Sequence, residues 1–160
     1  QRVSDPMALA YSQALYNERT ESTRYQLPPR LEGDVVDLLQ PDDLEDLVGM
    51  YLQVARGYLI VPSSCKVDTA GYEYILRHRE SGRSAIAQVK TGRVPLDSKA
   101  LEGLADEVFL FTQGGYSEGE PPNVHRIDPD ELRTFMRENL KLLTPRLRRW
   151  LGFFAGWRPA

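Results

Sequence analysis

Apolar residues recur every three or four positions along two stretches of the chain, which is the spacing that puts them on one face of a helix. The first stretch covers residues 41–56 and is followed by Gly57, a typical helix stop. The second begins at about Pro129, with Asp128 as its N-cap, and is expected to break at Pro145. The apolar positions are Leu44, Leu47, Val48, Tyr51, Leu52 and Ala55, then Leu132, Phe135, Met136, Leu140 and Leu143. Both stretches are predicted to be amphipathic helices that pack on a core.

Between these helices the apolar residues come in shorter runs, rich in aromatic and β-branched side chains, which is typical of β-strands. A polar turn at 80–83 predicts a hairpin between the second and third runs. A short helix is predicted at 97–105, between the third and fourth runs, with Leu101 and Leu104 packing. The predicted strands are 57–62, 71–79, 84–91, 107–112 and 124–127. His78 and His125 lie on two of these strands and are expected to be packed or surface residues.

The predicted elements follow one another as helix, three strands, helix, two strands and helix (αβββαββα). This order predicts an α/β fold with a mixed central β-sheet flanked by helices, because the central helix crosses from the third strand to the fourth. The folded domain would span residues 41–144. Residues 1–40 are predicted to form an N-terminal helix, from Pro6 to about Arg19, and an arm or linker, and residues 145–160 a basic and aromatic tail.

Length and composition fit one domain and narrow the choice of partners. The chain has 160 residues, of which 41% are hydrophobic and 27% are charged. Its net charge is −3, so a nucleic-acid partner would have to be met by a local basic patch. The single cysteine excludes an intramolecular disulfide and a cysteine-rich zinc site, and favours a cytoplasmic protein. No apolar run reaches about 18 residues, so no membrane span is expected.

Two polar residues, Gln88 and Lys90, lie on one face of the third predicted strand. With an even number of residues in the hairpin turn, we expect Glu73 opposite Lys90 and Ile75 opposite Gln88. A three-residue turn would instead put Glu73 on the other face of the sheet. In the first case a carboxylate, an amide oxygen and an ammonium converge at one end of the sheet. Oxygen ligands of this kind are those that Mg²⁺ prefers.

The order of the elements and the hairpin ending in Q-V-K resemble the PD-(D/E)XK, or restriction-endonuclease-like, nuclease superfamily over roughly residues 41–127. The glutamine is similar to that of the Mrr-like branch, where it commonly replaces the acid of the motif. The resemblance implies that Glu45 is the helix acid, Glu73 the acid of the second strand, and Gln88 with Lys90 the Q-x-K pair.

What this resemblance implies for function is hydrolysis of DNA phosphodiester bonds by a restriction-endonuclease-like core. The cofactor would be Mg²⁺ or Mn²⁺, held by Glu73, Gln88 and Glu45. Lys90 would assist the attacking water and the scissile phosphate. The protein would then be a metal-dependent endonuclease.

Both acids of this assignment have a competing candidate or a competing role. The family usually has aspartate in the second strand, so Asp68, in K-V-D-T-A-G, is an alternative acid to Glu73. Asp42-x-x-Glu45 also fits a capping box, which would account for the glutamate without a metal. A surface salt bridge with Lys90 would equally account for Glu73. A degenerate site would leave a catalytically inactive module that binds nucleic acid or a protein.

The C-terminal part of the chain contains its densest basic cluster. On an acidic protein this cluster is the surface expected to contact DNA phosphates, while pairing with Glu131 and Glu138 would make it a solvated helix face. Its members are Arg133, Arg137, Lys141, Arg146, Arg148 and Arg149. The aromatic residues beside it predict packing on the domain, or contact with a second copy or a larger protein. They are Trp150, Phe153, Phe154 and Trp157.

Overall fold

Five α-helices and five β-strands occur within residues 6–26, 34–66, 71–92, 94–119 and 121–152, which are those that the computed structural model of the protein describes. The helices are α1 (Pro6–Arg19), α2 (Val35–Leu38), α3 (Pro41–Val54), α4 (Pro129–Glu138) and α5 (Pro145–Leu151). The strands are β1 (Tyr58–Ile60), β2 (Tyr74–His78), β3 (Ser84–Lys90), β4 (Glu107–Thr112) and β5 (Val124–Arg126). None of these helices is both long enough and apolar enough to cross a membrane.

The strands form one mixed sheet in the order β1-β2-β3-β4-β5. The first three are antiparallel neighbours, while β4 is parallel to β3 and β5 is parallel to β4. A parallel neighbour requires a crossover, and residues 91–106 provide it between β3 and β4. The predicted α/β fold with a mixed central sheet and flanking helices is therefore confirmed, as is the helix predicted at Pro6–Arg19.

Helix α3 forms as its apolar spacing predicts. Pro41 occupies its first turn, where a missing N–H costs nothing. Leu44 and Leu47 are fully buried against the sheet. Gly49 lets the helix approach closely, because a Cβ there would lie only 3.3 Å from Ile60 Cδ1. Small size at this position therefore allows α3 to pack closely on β1.

The capping box predicted at the start of α3 is wrong. The N-cap is Gln40, and its side chain makes no capping hydrogen bond. Because the helix already begins at Pro41, Asp42 lies within its first turn and cannot take the extended backbone conformation of a cap. Capping therefore does not account for Glu45.

Successive side chains of β3 point to opposite faces of the sheet, and each face has its own apolar core. Ala85, Ala87 and Val89 belong to the core that packs under the helices. Ile86 belongs to the second core, which lies under the segment between β3 and β4 and includes Leu101 of that segment. All five helices contribute to the first core, through residues that include Ala14, Val36, Leu44, Leu132 and Leu147. The second face is covered by non-helical chain.

The short helix predicted at 97–105 is wrong, because this segment folds as consecutive turns. Its backbone hydrogen bonds join residues three apart, as in the 3.2 Å contact from Ala100 N to Asp97 O. Gly103 has a φ of +80°, which no α-helix continues through. Asp97 still acts as a cap, accepting from Lys99 N at 2.9 Å. Leu101 is buried as predicted, whereas Leu104 is 60% exposed.

The C-terminal region also differs from its prediction. Helix α4 ends at Glu138, and Pro145 starts α5 rather than an irregular tail. The Thr144 hydroxyl caps α5 by accepting from Leu147 N at 3.2 Å. Trp150 is 3% exposed in the first core, so it packs on the domain. The other aromatic residues of the tail lie outside the described residues, namely Phe153, Phe154 and Trp157.

Candidate active site

The hairpin of β2 and β3 has a register two residues away from the predicted one. Ile75 pairs with Ile86 rather than with Gln88, and Glu73 N donates to Ala87 O at 2.9 Å. The cause is a turn that closes one residue earlier than expected, with Gly82 at a φ of +70°. A shift of two keeps every side chain on its expected face. Glu73 therefore stays on the same side as Gln88 and Lys90.

Glu73 and Lys90 are in contact at the end of this hairpin. Lys90 Nζ lies 3.4 Å from Glu73 Oε1, and Val89 N donates to Glu73 Oε2 at 3.0 Å. The Glu73 side chain is 17% exposed and that of Lys90 is 41% exposed. The structure thus brings together two of the predicted site residues, in the ion pair that would account for Glu73 without a metal.

Glu45 lies in the electrostatic field of this pair. Burial raises the pKa of the Glu45 carboxyl, and the negative charges of Glu73 and Asp42 raise it further. The positive charge of Lys90 acts in the opposite direction without cancelling the rise. Because such coupling falls with distance, the Glu45 carboxyl on α3 lies in the neighbourhood of the Glu73–Lys90 pair. The predicted helix acid therefore joins the predicted strand residues.

Gln88 is half-buried on β3, two residues before Lys90. It pairs with Leu110 of β4 and alternates with Ala87 and Val89, whose side chains face the first core. Its amide is thereby directed to the same face as Lys90, as the i, i+2 spacing predicts. The alternative acid, Asp68, lies outside the described residues.

The oxygen donors that the resemblance assigns to a metal are of the kind that a divalent cation prefers. Glu45 and Glu73 supply carboxylate oxygens and Gln88 an amide oxygen, which are hard donors. Burial is the largest cause of the raised pKa of Glu45 and the charges of Glu73 and Asp42 add to it, so a cation beside Glu45 would stabilise its ionised form. Within the described residues, no group of three or more Asp, Glu, His or Cys side chains could hold a metal. Mg²⁺ is commonly bound by one or two carboxylates, with waters and substrate phosphate completing its shell.

The predicted basic cluster divides into two parts. Arg133 is ion-paired with Asp34 and Asp130. Arg146 pairs at 2.9 Å with Asp43, a buried carboxylate whose pKa is raised by burial. The charge of these two arginines is matched within the protein.

The cluster's exposed cations with no ion pair inside the described part of the chain are Arg137, Lys141 and Arg148. The side chain of Arg149 is outside that part.

A second group of polar side chains was not foreseen as a site. His78 on β2 and His125 on β5 are far apart in sequence, yet both side chains lie on the face of the sheet that the helices cover. Tyr58 and Glu107 lie on that face as well, joined by a hydrogen bond from the hydroxyl to the carboxylate. Alternation within each strand gives the face of each residue, but only the strand order brings the four together.

Comparison of the chain with protein-family models, with curated proteins and with solved structures finds no match in any of the three. The resemblance to PD-(D/E)XK nucleases therefore rests on the motif, on the order of the elements and on the locus formed by Glu45, Glu73 and Lys90.

Proposed function

We propose that the protein is a Mg²⁺-dependent endonuclease that hydrolyses DNA phosphodiester bonds. The main support is the contact of Glu73 with Lys90 at the end of the β2–β3 hairpin, together with the electrostatic coupling of Glu45 to both residues. Two carboxylates and one ammonium leave net negative charge there, which attracts a divalent cation. The ammonium provides a positive group for the phosphate that the cation would accompany.

Each residue has a distinct role in this proposal. Glu73, Gln88 and Glu45 hold the metal, and Mn²⁺ would be accepted by the same oxygen donors. A metal bound there polarises the phosphoryl group and lowers the pKa of a coordinated water. Lys90 stabilises the negative charge that develops on the phosphoryl oxygens, and orients the attacking water. Water adds to phosphorus, one ester P–O bond breaks, and the released oxygen takes up a proton.

The DNA backbone is proposed to lie along the unpaired cations of the C-terminal helices and the turn between them. Arg137, Lys141 and Arg148 are exposed there, whereas Arg133 and Arg146 are engaged by carboxylates. On an acidic chain, three contacts of this kind favour weak, strongly salt-dependent binding. Sequence preference would have to come from other residues, because phosphate contacts contain no base information.

Metal-dependent cleavage of supercoiled plasmid by the wild type and by Lys90→Ala tests the mechanism. We expect the wild type to nick or linearise the plasmid with Mg²⁺ but not with EDTA. The variant should lose about 100-fold or more in rate, as is usual when a charge-stabilising donor is removed. Lys99→Ala is the matched control, since Lys99 is exposed on the segment between β3 and β4. Cleavage that survives Lys90→Ala would overturn the mechanism.

A second candidate is a module of the same fold that binds DNA or a partner protein without cutting. It is favoured by the ion pair itself, since both oxygens of Glu73 already accept from Lys90 and Val89. DNA and RNA of several forms that are bound but never cleaved would support this candidate. Contact with a second copy or a larger protein through the aromatic tail would now depend on Phe153, Phe154 and Trp157, because Trp150 is buried.

A further inference from the structure

Four aromatic rings form a row across the helix-covered face of the sheet, near the start of β3. The row runs from His78 through Tyr58 and Phe109 to His125, with successive ring centroids 5.0, 5.1 and 5.2 Å apart. Tyr58 and Phe109 are each 3% exposed and form the floor, while the two imidazoles are half-buried at its ends. Their regular spacing makes a continuous aromatic surface.

The row exists because the strand beneath it has a small side chain. Tyr58 projects from β1, yet its hydroxyl donates to Glu107 Oε2 on β4. Its ring therefore extends over β2 and β3, where Ala85 lies between Leu76 and Glu107 in the register. Ala85 is itself 0% exposed, so a larger residue there would have to displace its buried neighbours.

A cavity of about 200 Å³ opens on this row and has more positive than negative groups in its wall. Besides the rings, it is lined by Arg56, Arg83 and Glu107. Both oxygens of Glu107 are already engaged, one in an ion pair with Arg83 at 2.7 Å and the other by accepting from the Tyr58 hydroxyl. The carboxylate is therefore satisfied, whereas the Arg83 guanidinium has further N–H groups and is 58% exposed.

Further donors and charges converge on the same place. Ser81 N donates to His78 Nδ1 at 3.2 Å, so the neutral ring has its proton on Nε2, where it is a donor.

Burial and the bond to Glu107 raise the pKa of Tyr58, while the charges of Arg83 and Arg56 act in the opposite direction. Both guanidinium groups are thus close enough to act on one hydroxyl. Arg56 donates from Nε to the Tyr51 hydroxyl at 2.8 Å, which leaves its outer N–H groups for other partners. It also approaches Glu131 at 3.5 Å, but both side chains are more than 40% exposed and this pair is screened.

We propose that this cavity binds a small phosphate-type oxyanion, either free or as the terminal phosphate of a larger molecule. Donors outnumber free acceptors in its wall, and guanidinium groups match the geometry of phosphate oxygens. A metal is not the ligand, since His78 and His125 are at opposite ends of the row. The cavity is separate from the Glu73–Lys90 locus, because β3 extends about 20 Å between its two ends at ~3.3 Å per residue.

The two imidazoles provide the measurement, because His78 and His125 are the two histidines of the whole chain. Their ring proton and nitrogen resonances can be followed by NMR during titration with inorganic phosphate at constant ionic strength. We expect both rings to shift saturably with one shared dissociation constant, and to show no such shift with chloride. Shifts that do not saturate, or that chloride reproduces, would refute the site.

Charge variants locate the binding. Arg83→Gln should weaken phosphate binding by at least about 10-fold, the usual loss for one charge-assisted hydrogen bond. Glu107→Gln should strengthen it, because Arg83 is then released from its internal partner. Lys99→Gln, which removes an exposed charge on the segment between β3 and β4, should leave it unchanged. An unaltered affinity in Arg83→Gln, or weaker binding in Glu107→Gln, would contradict the assignment.

His125→Phe is a second probe that does not alter the ion pair. Phenylalanine preserves the stacking on Phe109 but removes both ring nitrogens, so the fold is retained and phosphate binding is expected to weaken. Oligonucleotides with and without a 5′-phosphate then distinguish a terminal phosphate from the free anion. Phosphate binding is followed at the two imidazoles and DNA cleavage by the plasmid assay, so failure of this site and failure of the proposed nuclease can be told apart.

Discussion

The two ends of strand β3 differ in the charge that each leaves unmatched. At its C-terminal end, Glu45 and Glu73 face the single ammonium of Lys90, and burial with like charge raises the pKa of Glu45. Near its start, Arg56 and Arg83 line a cavity with the single carboxylate of Glu107. One end is therefore suited to a cation and the other to an anion.

The surroundings of the two ends differ as well. The negative end lies where a helix start and a hairpin end meet, and its members are mostly half-exposed side chains. The positive end has a floor of two buried rings that belong to the main core. Polar groups on a rigid apolar floor have fewer ways to rearrange than groups at a strand end. Substitutions at the positive end should therefore affect stability more.

The largest expected effect is that of Phe109→Ala. Phe109 is 3% exposed and contacts both Tyr58 and His125, so its loss should lower the free energy of unfolding by about 3–5 kcal/mol. Chemical denaturation followed by circular dichroism measures this change. Leu104→Ala, at a residue 60% exposed, should stay within about 0.5 kcal/mol of the wild type. Equal effects would mean that the ring row is not part of the core.

Tyr58→Phe should have the next largest effect, because it deletes one hydroxyl and retains the ring. Glu107 Oε2 then loses its donor, and a bond to a charged acceptor contributes about 1.5–3 kcal/mol. Thermal denaturation of this variant should be compared with that of Tyr16→Phe, at a residue 39% exposed, which should match the wild type. A Tyr58→Phe protein as stable as the wild type would show that the hydroxyl contributes nothing to the fold.

Glu73→Gln at the opposite end should cost less than about 1 kcal/mol. Lys90 is 41% exposed, so water and salt screen its attraction to Glu73. The glutamine oxygen can still accept from Val89 N, which the carboxylate does at 3.0 Å. Denaturation at low and at high salt should show that the small loss shrinks as salt is added. A loss above about 2 kcal/mol would place this pair among buried ones.

Glu45→Gln should stabilise the protein slightly at neutral pH. The pKa of Glu45 is raised from 4.5, so its ionised form is disfavoured by folding and this cost is fully present above the folded pKa. The advantage of the variant should therefore disappear as the pH falls below about 4.5. Melting temperatures measured from acidic to neutral pH test the sign. Added Mg²⁺ should reduce the advantage at neutral pH if Glu45 helps to hold the metal.

Local pattern was sufficient to predict most of the elements. Helix α3 and the five strands occur where apolar spacing placed them, since burial of one face dictates that spacing. The helix at 97–105 was wrong because two leucines three apart fit turns as well as a helix, and Gly103 takes a positive φ. Pro145 was expected to break a helix, but proline is also common in the first turn of one. Helix α5 begins at Pro145, and its residues Leu147 and Trp150 are buried in the core.

The candidate site was predictable only in part. The i, i+2 spacing of Gln88 and Lys90 was enough to place them on one face of a strand. Glu73 lies on that face as well, because the turn contains an even number of residues, as the prediction assumed. The partner of each residue was not predictable, because it depends on which residue of the turn takes the left-handed conformation. Gly82 does so, which moves the register by two.

The sequence by itself determined which side chains face which side of each helix and strand, because hydrophobic burial sets that alternation residue by residue. It also placed Gln88 and Lys90 on a common face, whereas the face of Glu73 depended on the length of the turn, which the structure decided. Only the tertiary structure decided which charges meet, since this depends on strand order and on contacts between distant segments. Those contacts bring Glu45 to the Glu73–Lys90 pair, engage Arg133 and Arg146 internally, and align His78 with His125 across the sheet.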